Sequence, residues 1–399
     1  PGFLRETKTK FYRKVMTKRI FVVGAGTMGA GIAQLAAQNG FETWLYDLSV
    51  DQLSKAQAGI NKSLTTLLEK GKIDATSYEA ILGRIQFVNH LDAAQHADLV
   101  IEAIVENLTV KHEVFKALEG LVSPTCILAS NTSSLSIASI SSALKQPERF
   151  LGIHFFNPAT LMPLVEIIPS VLTHEAVVAQ AQEIILAMGK TVALCKDTPG
   201  FIVNRVARPF YGEALRIYEE GLADFVTIDY AMTSIGGFKM GPFELMDYIG
   251  NDVNYTVTET VFEAFYYDPR FKPSFTQKRL KEAGLYGRKT GRGFYDYSMD
   301  RGNPTPDEAL HQVIFKRIIA MLINEAYDAV LMQVASPSDV DLAMMKGVNY
   351  PKGLLAWSEE IGPSEILAQL NSLYERYGED RYRPNALLKD RVNAGKPLW

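Results

Sequence analysis

The chain has 399 residues, 47% of them apolar and 22% charged, with 29 glycines and 18 prolines. That composition excludes collagen-like, mucin-like and wholly disordered chains, and the length predicts two to four domains. The 41 basic and 45 acidic residues give a net charge of −4, a near balance that speaks against nucleic-acid binding.

Residues 1–15, PGFLRETKTKFYRKV, precede Met16 and are basic without the apolar core of a secretory signal, so they read as a disordered extension. From Ile20 to Val23 runs a continuous apolar stretch, as in a parallel strand buried on both faces. The glycine-rich turn Gly24-Ala-Gly26-Thr-Met-Gly29 follows. A helix with Met28, Ile32, Leu35 and Ala36 on its apolar face then stops at Gly40. Thr43 to Tyr46 form a second strand ending at Asp47, which completes a β-α-β unit. In such a unit Gly24 permits the tight turn, Gly26 lets backbone approach a pyrophosphate, and Gly29 lets helix pack on strand. The helix N-terminus offers N–H groups and a positive dipole end to phosphates. Asp47 lies about 20 residues beyond the first glycine, where a carboxylate accepts ribose hydroxyls and repels a 2′-phosphate. The cofactor expected is therefore NAD rather than NADP. Asp98 to Ala103 and Cys126 to Ser130 read as further buried strands separated by helices, which implies an open parallel sheet.

Cys126 and Cys195 are the two cysteines. They allow one disulfide, but no CxxC or Cys/His metal spacing exists, so no metal is expected and the compartment reads as a reducing cytoplasm. No uncharged apolar run approaches the roughly 20 residues of a membrane-spanning helix.

Oxidising an alcohol needs a base for the hydroxyl proton, and histidine titrates nearest neutrality. His90, His96, His112, His174 and His311 sit in polar, loop-like or helix-surface contexts. His154 differs: it ends a predicted strand within Phe150–Pro158, and ligands of open α/β sheets bind at the carboxyl ends of strands. Glu166 is a lone acid inside the apolar run Leu164–Ile168. A carboxylate buried there needs a partner, and His154 is the natural one, either as an imidazole base held by an orienting acid or as a structural ion pair.

After Lys196-Asp-Thr-Pro-Gly200 helical patterns dominate, and Pro199-Gly200 marks a boundary. A shift of 112 positions superimposes Arg205–Gly250 on Arg317–Gly362 without a gap, with ten identities in 46 positions. Two copies of one helical module follow from this repeat.

Four signatures in order, Ser130-Asn-Thr-Ser-Ser-Leu135, the HFFNP run from His154, Asp197-Thr-Pro-Gly-Phe-Ile-Val-Asn-Arg205 and Met240-Gly-Pro-Phe-Glu-Leu245, resemble the (S)-3-hydroxyacyl-CoA dehydrogenase family. The likeness runs from about Lys18 to Tyr297, and the second helical copy continues it. It implies an α/β doubly wound parallel sheet (Rossmann) over 16–198, followed by all-α C-terminal domains in two tandem copies. These are a first helical domain on the substrate side over 199–298 and a second copy over 299–399, with substrate between the first two domains. It implies NAD-dependent, reversible oxidation of (S)-3-hydroxyacyl-CoA to 3-oxoacyl-CoA, in fatty-acid β-oxidation or related acyl-CoA metabolism.

In that likeness His154 is the general acid/base, Glu166 its partner, Ser133 a hydrogen-bonding partner of the substrate's 3-oxygen, and Asn204 a support of the thioester region and the histidine. Gly24, Gly26, Thr27, Met28, Gly29 and Asp47 match positions that hold the cofactor, as do Glu106, Lys111, Ser133, Asn157 and Lys289. Ser63, Lys70 and Ser133 match CoA-contacting positions. Ser63 and Lys70 also read as ordinary exposed helix residues, Ser133 and Ser134 as caps of the following helix, and Lys289 as a solvated charge. Two features depart from the family pattern. Lys239 stands where proline is expected, and Lys316 stands opposite Asn204, so the second copy reads as architectural. In single-copy relatives the helical domain forms the dimer interface. The chain is accordingly expected either as a homodimer or as a monomer whose second copy supplies that packing in cis. No hydratase region precedes residue 16, so the likeness is to the stand-alone form. Two other functions fit the fingerprint: an NAD-dependent dehydrogenase of a free hydroxy or sugar acid, and a non-catalytic NADH-binding descendant.

Overall fold

The computed structural model describes residues 18–395, so the N-terminal extension read over 1–15 lies outside the described residues. The chain forms two compact units, passing from one to the other between Asp197 and Thr198. No described helix is long and apolar enough to cross a membrane. No disulfide joins the buried cysteines; burial pushes the Cys126 thiol up to about 12.

The first unit follows the strand–helix alternation of its sequence. In order come β1 (Arg19–Val23), α1 (Thr27–Gln38), β2 (Glu42–Tyr46), α2 (Val50–Glu69), α3 (Ala75–Gly83), β3 (Ile85–Val88), β4 (Leu99–Glu102), α4 (Leu108–Leu121) and β5 (Ile127–Ser130). Then follow α5 (Ile137–Ser141), β6 (Phe150–Phe155), β7 (Leu164–Pro169), α6 (Glu175–Ala187) and β8 (Thr191–Leu194). The strands form one sheet in the order β3-β2-β1-β4-β5-β6-β7-β8. The strand order reverses at β1, so a crevice opens between the carboxyl ends of β1 and β4. Ile20, Val22, Leu45, Ile101 and Leu151 of the central strands are buried against Ile32, Leu35 and Ala36 of α1. One step departs from the expected parallel sheet: β6 and β7 pair antiparallel. The connection between Phe155 and Leu164 is too short for the crossover that parallel neighbours require.

The second unit is helical throughout: α7 (Val203–Val206), α8 (Arg208–Glu219), α9 (Phe225–Ser234), α10 (Pro242–Ile249), α11 (Asn251–Ala264), α12 (Phe275–Glu282), α13 (Glu308–Leu331), α14 (Pro337–Gly347), α15 (Leu354–Ile361), α16 (Pro363–Tyr377) and α17 (Ala386–Ala394). The repeat is visible in its bonds. The Asp229 carboxylate accepts the Phe243 and Glu244 N–H groups at the start of α10. Asp341, its counterpart, accepts those of Leu355 and Ala356 at the start of α15. Gly241 and Gly353 carry no side chain for the same reason, since a Cβ at either lies within 2.5 Å of that aspartate. The long α13 matches α7 and α8 together. Pro209 lacks the N–H a continuous helix needs, and its counterpart Met321 does not.

The copies also grip each other reciprocally. Arg205 Nε donates to Glu325 at 2.7 Å, while Arg317 Nε donates to Glu213 at 2.5 Å. Because 205 matches 317 and 213 matches 325, one contact is made twice, which is the signature of a two-fold related interface. Phe238 packs edge-on against its own counterpart Tyr350, with centroids 5.0 Å apart. His311, expected on a helix surface, is buried: its Nε2 donates to the Thr305 carbonyl and its ring meets Tyr230. Removing one partner of a buried ion pair strands the other charge, at a cost of about 3–5 kcal/mol. Arg317→Met should therefore lower the unfolding free energy of the helical unit, measured by urea titration, by that margin. Glu213→Gln combined with Arg317→Met should cost less than the sum of the two single changes.

Candidate active site

Gly24 adopts φ +102°, and a Cβ there meets the Ala103 carbonyl oxygen at 2.6 Å. A Cβ on Gly29 falls 1.7 Å from the Gly24 carbonyl oxygen, so this glycine lets helix close on turn. Around Gly26, by contrast, a Cβ meets no atom within 4 Å. Gly26 heads α1 without a side-chain cap, which leaves the helix start to an anion. Asp47 closes the turn from β2: its Oδ2 accepts the Ala25 N–H at 2.9 Å and its Oδ1 accepts that of Ser49. A cavity of about 360 Å³ runs beside this turn, lined by Gly26, Thr27, Gln34, Lys55, Asn157 and Thr160 among others. Turn, uncapped helix start, strand-end acid and cavity together fit a dinucleotide.

The next strand ends carry a charge cluster whose Glu102 and Lys111 are buried and whose Glu106 is exposed. Lys111 is 1% exposed and its Nζ reaches Glu102 at 2.6 Å and Glu106 at 3.2 Å. Glu102 also accepts from the Ser130 hydroxyl and the Ile104 N–H. Thr132 and Ser134 donate their hydroxyls to Glu106. Burial alone raises the Glu106 carboxyl; the Lys111 charge and the two hydroxyls outweigh it and hold the group below its ordinary value. Glu102 went unread in the sequence, although an acid closing the run Leu99-Val-Ile-Glu102 repeats the strand-end position of Asp47.

On β6 and β7 the antiparallel register sets His154 directly opposite Glu166. The imidazole Nδ1 lies 2.7 Å from Glu166 Oε2, with His154 6% exposed and Glu166 fully buried. A carboxylate can only accept, so Nδ1 carries the proton of this bond. Phe156 packs on the imidazole with centroids 4.5 Å apart, and Asn131 accepts the Phe155 N–H to fix the strand end. The sheet thus brings the glycine turn, Asp47, Glu106, Lys111, the Ser133 loop and His154 to the carboxyl ends of β1, β2, β4, β5 and β6.

The remaining candidates fall as follows. Ser133 is half-buried; Ser136, not Ser133 or Ser134, caps α5. Ser63 is half-buried and accepts from Gln34, whereas Lys70 is exposed at the C-terminal cap of α2. Neither lines the cavity, where Lys55 supplies the cation. Asn157 is exposed. In the second unit Asn204 sits half-buried on α7, and Lys289 bonds Asp252 at 2.7 Å with its Nζ over the Tyr286 ring.

Residues 19–198 match the family model for the 3-hydroxyacyl-CoA dehydrogenase NAD binding domain, and residues 200–297 and 314–397 each match the C-terminal domain of that family. The chain belongs to the 3-hydroxyacyl-CoA dehydrogenase family. Membership makes it an NAD-dependent oxidoreductase, and the double match confirms the tandem helical copies. It is 38% identical to "3-hydroxyadipyl-CoA dehydrogenase" of Escherichia coli (strain K12), over 95% of this chain and 98% of the relative. "Hydroxyacyl-coenzyme A dehydrogenase, mitochondrial" of Sus scrofa is 42% identical over 71% of this chain and 93% of its own. The crystal structure of 3-hydroxybutyryl-CoA dehydrogenase from Escherichia coli K12 superimposes with a TM-score of 0.91 at 37% identity, covering 95% of this chain and 99% of that one.

Removing the Asp47 carboxylate removes the charge that repels a 2′-phosphate. Asp47→Ser should raise the NADP-to-NAD ratio of kcat/KM by about 10-fold or more, a shift of ~1.4 kcal/mol, read with a single acyl-CoA substrate.

Proposed function

We propose that the chain interconverts (S)-3-hydroxyacyl-CoA and 3-oxoacyl-CoA, with His154 as the general acid/base and Glu166 as its orienting acid. The 2.7 Å bond between these two side chains at the carboxyl end of β6 carries this reading. NAD, when bound, supplies the hydride acceptor. His154 Nε2 takes the hydroxyl proton as the alcohol is oxidised, and the buried Glu166 stabilises the imidazolium that results. In the reverse direction the same nitrogen returns the proton to the 3-oxygen. Ser133 donates to that oxygen, and Asn204 holds the thioester region. Asp47, Glu106, Lys111, Asn157 and Lys289 contact the cofactor; Ser63 and Lys70 contact CoA.

The domain over 16–198 serves the cofactor, residues 199–298 serve the substrate, and the copy over 299–399 is architectural. The reciprocal Arg205–Glu325 and Arg317–Glu213 pairs support that last assignment, because they supply within one chain a two-fold contact that separate subunits otherwise make. The protein acts in the cytoplasm as a monomer built this way, or as a dimer of it.

General acid–base participation is worth about 10²–10⁴-fold. His154→Gln should lose at least that much kcat while NADH still binds, as followed by fluorescence titration. Near-normal turnover by this variant overturns the assignment. Acetoacetyl-CoA should oxidise NADH far faster than free acetoacetate does; equal rates would indicate a free-acid dehydrogenase instead.

A further inference from the structure

Of the buried arginines in the helical unit, Arg205, Arg317, Arg381 and Arg391 all end on carboxylates. Arg208 does not, among the described residues. It is 6% exposed, one helical turn beyond Asn204. Its Nη1 donates to the Thr258 hydroxyl at 3.1 Å and its guanidinium lies 4.9 Å over the Tyr211 ring. Its Nε is buried with no hydrogen-bond partner, and so is the Tyr350 hydroxyl. The titratable groups that bear on it are the phenols Tyr211 and Tyr350, and burial pulls the guanidinium below its ordinary value.

An unneutralised buried cation costs several kcal/mol, and an unmade buried hydrogen bond adds to that cost. The cluster offers donors with no acceptor, and Phe210 packs on both Tyr211 and Tyr350. A guanidinium with no carboxylate partner among the described residues matches one from a ligand. One cation over an aromatic ring suits a monoanion at the end of a short apolar chain, not a phosphate group. Ala207, between α7 and α8, keeps right-handed helical dihedrals, so Asn204 and Arg208 stand about one turn, roughly 5–6 Å, apart and can hold the two ends of such a chain. In the second copy Lys316 and Ala320 stand at these positions, so the pair is confined to the copy that carries the substrate assignment.

We propose that Arg208, with Tyr350, anchors a carboxylate at the far end of the acyl chain, making carboxylate-ended 3-hydroxyacyl-CoA thioesters the preferred substrates. This rests on the reading above in which Asn204 holds the thioester region. The test compares kcat/KM of the full chain, with NAD, for (S)-3-hydroxyadipyl-CoA and (S)-3-hydroxyhexanoyl-CoA, which share a chain length and differ in ending in carboxylate or methyl. The carboxylate-ended thioester should be preferred about 10-fold or more. Arg208→Met should cut that ratio by about 10-fold, to near parity, and Tyr350→Phe by about 5-fold. Equal use of both thioesters by the unaltered chain, or an unchanged ratio in the two variants, overturns the carboxylate anchor alone. Oxidation of neither thioester by the unaltered chain overturns the dehydrogenase reading, and the anchor with it.

Discussion

The antiparallel pairing of β6 with β7 is the constraint from which the site follows. In a parallel pair the partner of His154 would arrive after a crossover of a dozen or more residues. Here a short connection turns the chain straight back and sets Glu166 opposite His154 in register. The pairing has no slack, because a one-residue slip in a strand sends every side chain to the other face. Leu164, Val165, Ile167 and Ile168, all fully buried, hold that register from both faces. The acid is thereby kept dry by hydrophobic packing and placed by backbone bonds. A fully buried carboxylate in such a setting persists only with a charge-competent partner.

The helical unit uses charge differently. Arg205, Glu213, Arg317 and Glu325 lie in its interior, where bare hydrophobic packing would serve stability as well or better. What the pairs add is a single register between two copies of similar sequence. Each arginine finds its acid only when the copies are related by a two-fold operation, and Arg317 is further fixed by Glu220 and Tyr382. Directional bonds of this kind select one arrangement among several that apolar surfaces alone would tolerate.

Much of this was legible in the sequence. The β1-α1-β2 unit, the tasks of Gly24 and Gly29 and the repeat are all readable because each depends on local geometry or on self-similarity. The antiparallel step was not, since a buried strand has the same apolar texture whichever way it runs. His311 and the interior arginines were not, because a polar residue in a helical pattern reads as a solvated face until a second helix is known to cover it. Glu102 was readable in principle, at the end of its strand, but its meaning depends on Lys111, which reaches it from α4.

Among the many positions at which the two helical copies differ are Asn204 and Arg208, to which the substrate reading gives a role. The positions that hold the fold are the same in both: the capping aspartates, the glycines beneath them, and the arginine–glutamate pairs. Asn204, Arg208 and Pro209 become Lys316, Ala320 and Met321. Each change moves the second copy toward an ordinary helix: a solvated lysine paired with Glu365, a small buried alanine, and an N–H restored where proline had none. A repeat under structural demand alone relaxes to what a helix prefers. The first copy therefore keeps an amide, a buried cation and a helix break at a net cost in stability, and that cost is the physical ground for the substrate role proposed for α7 and α8.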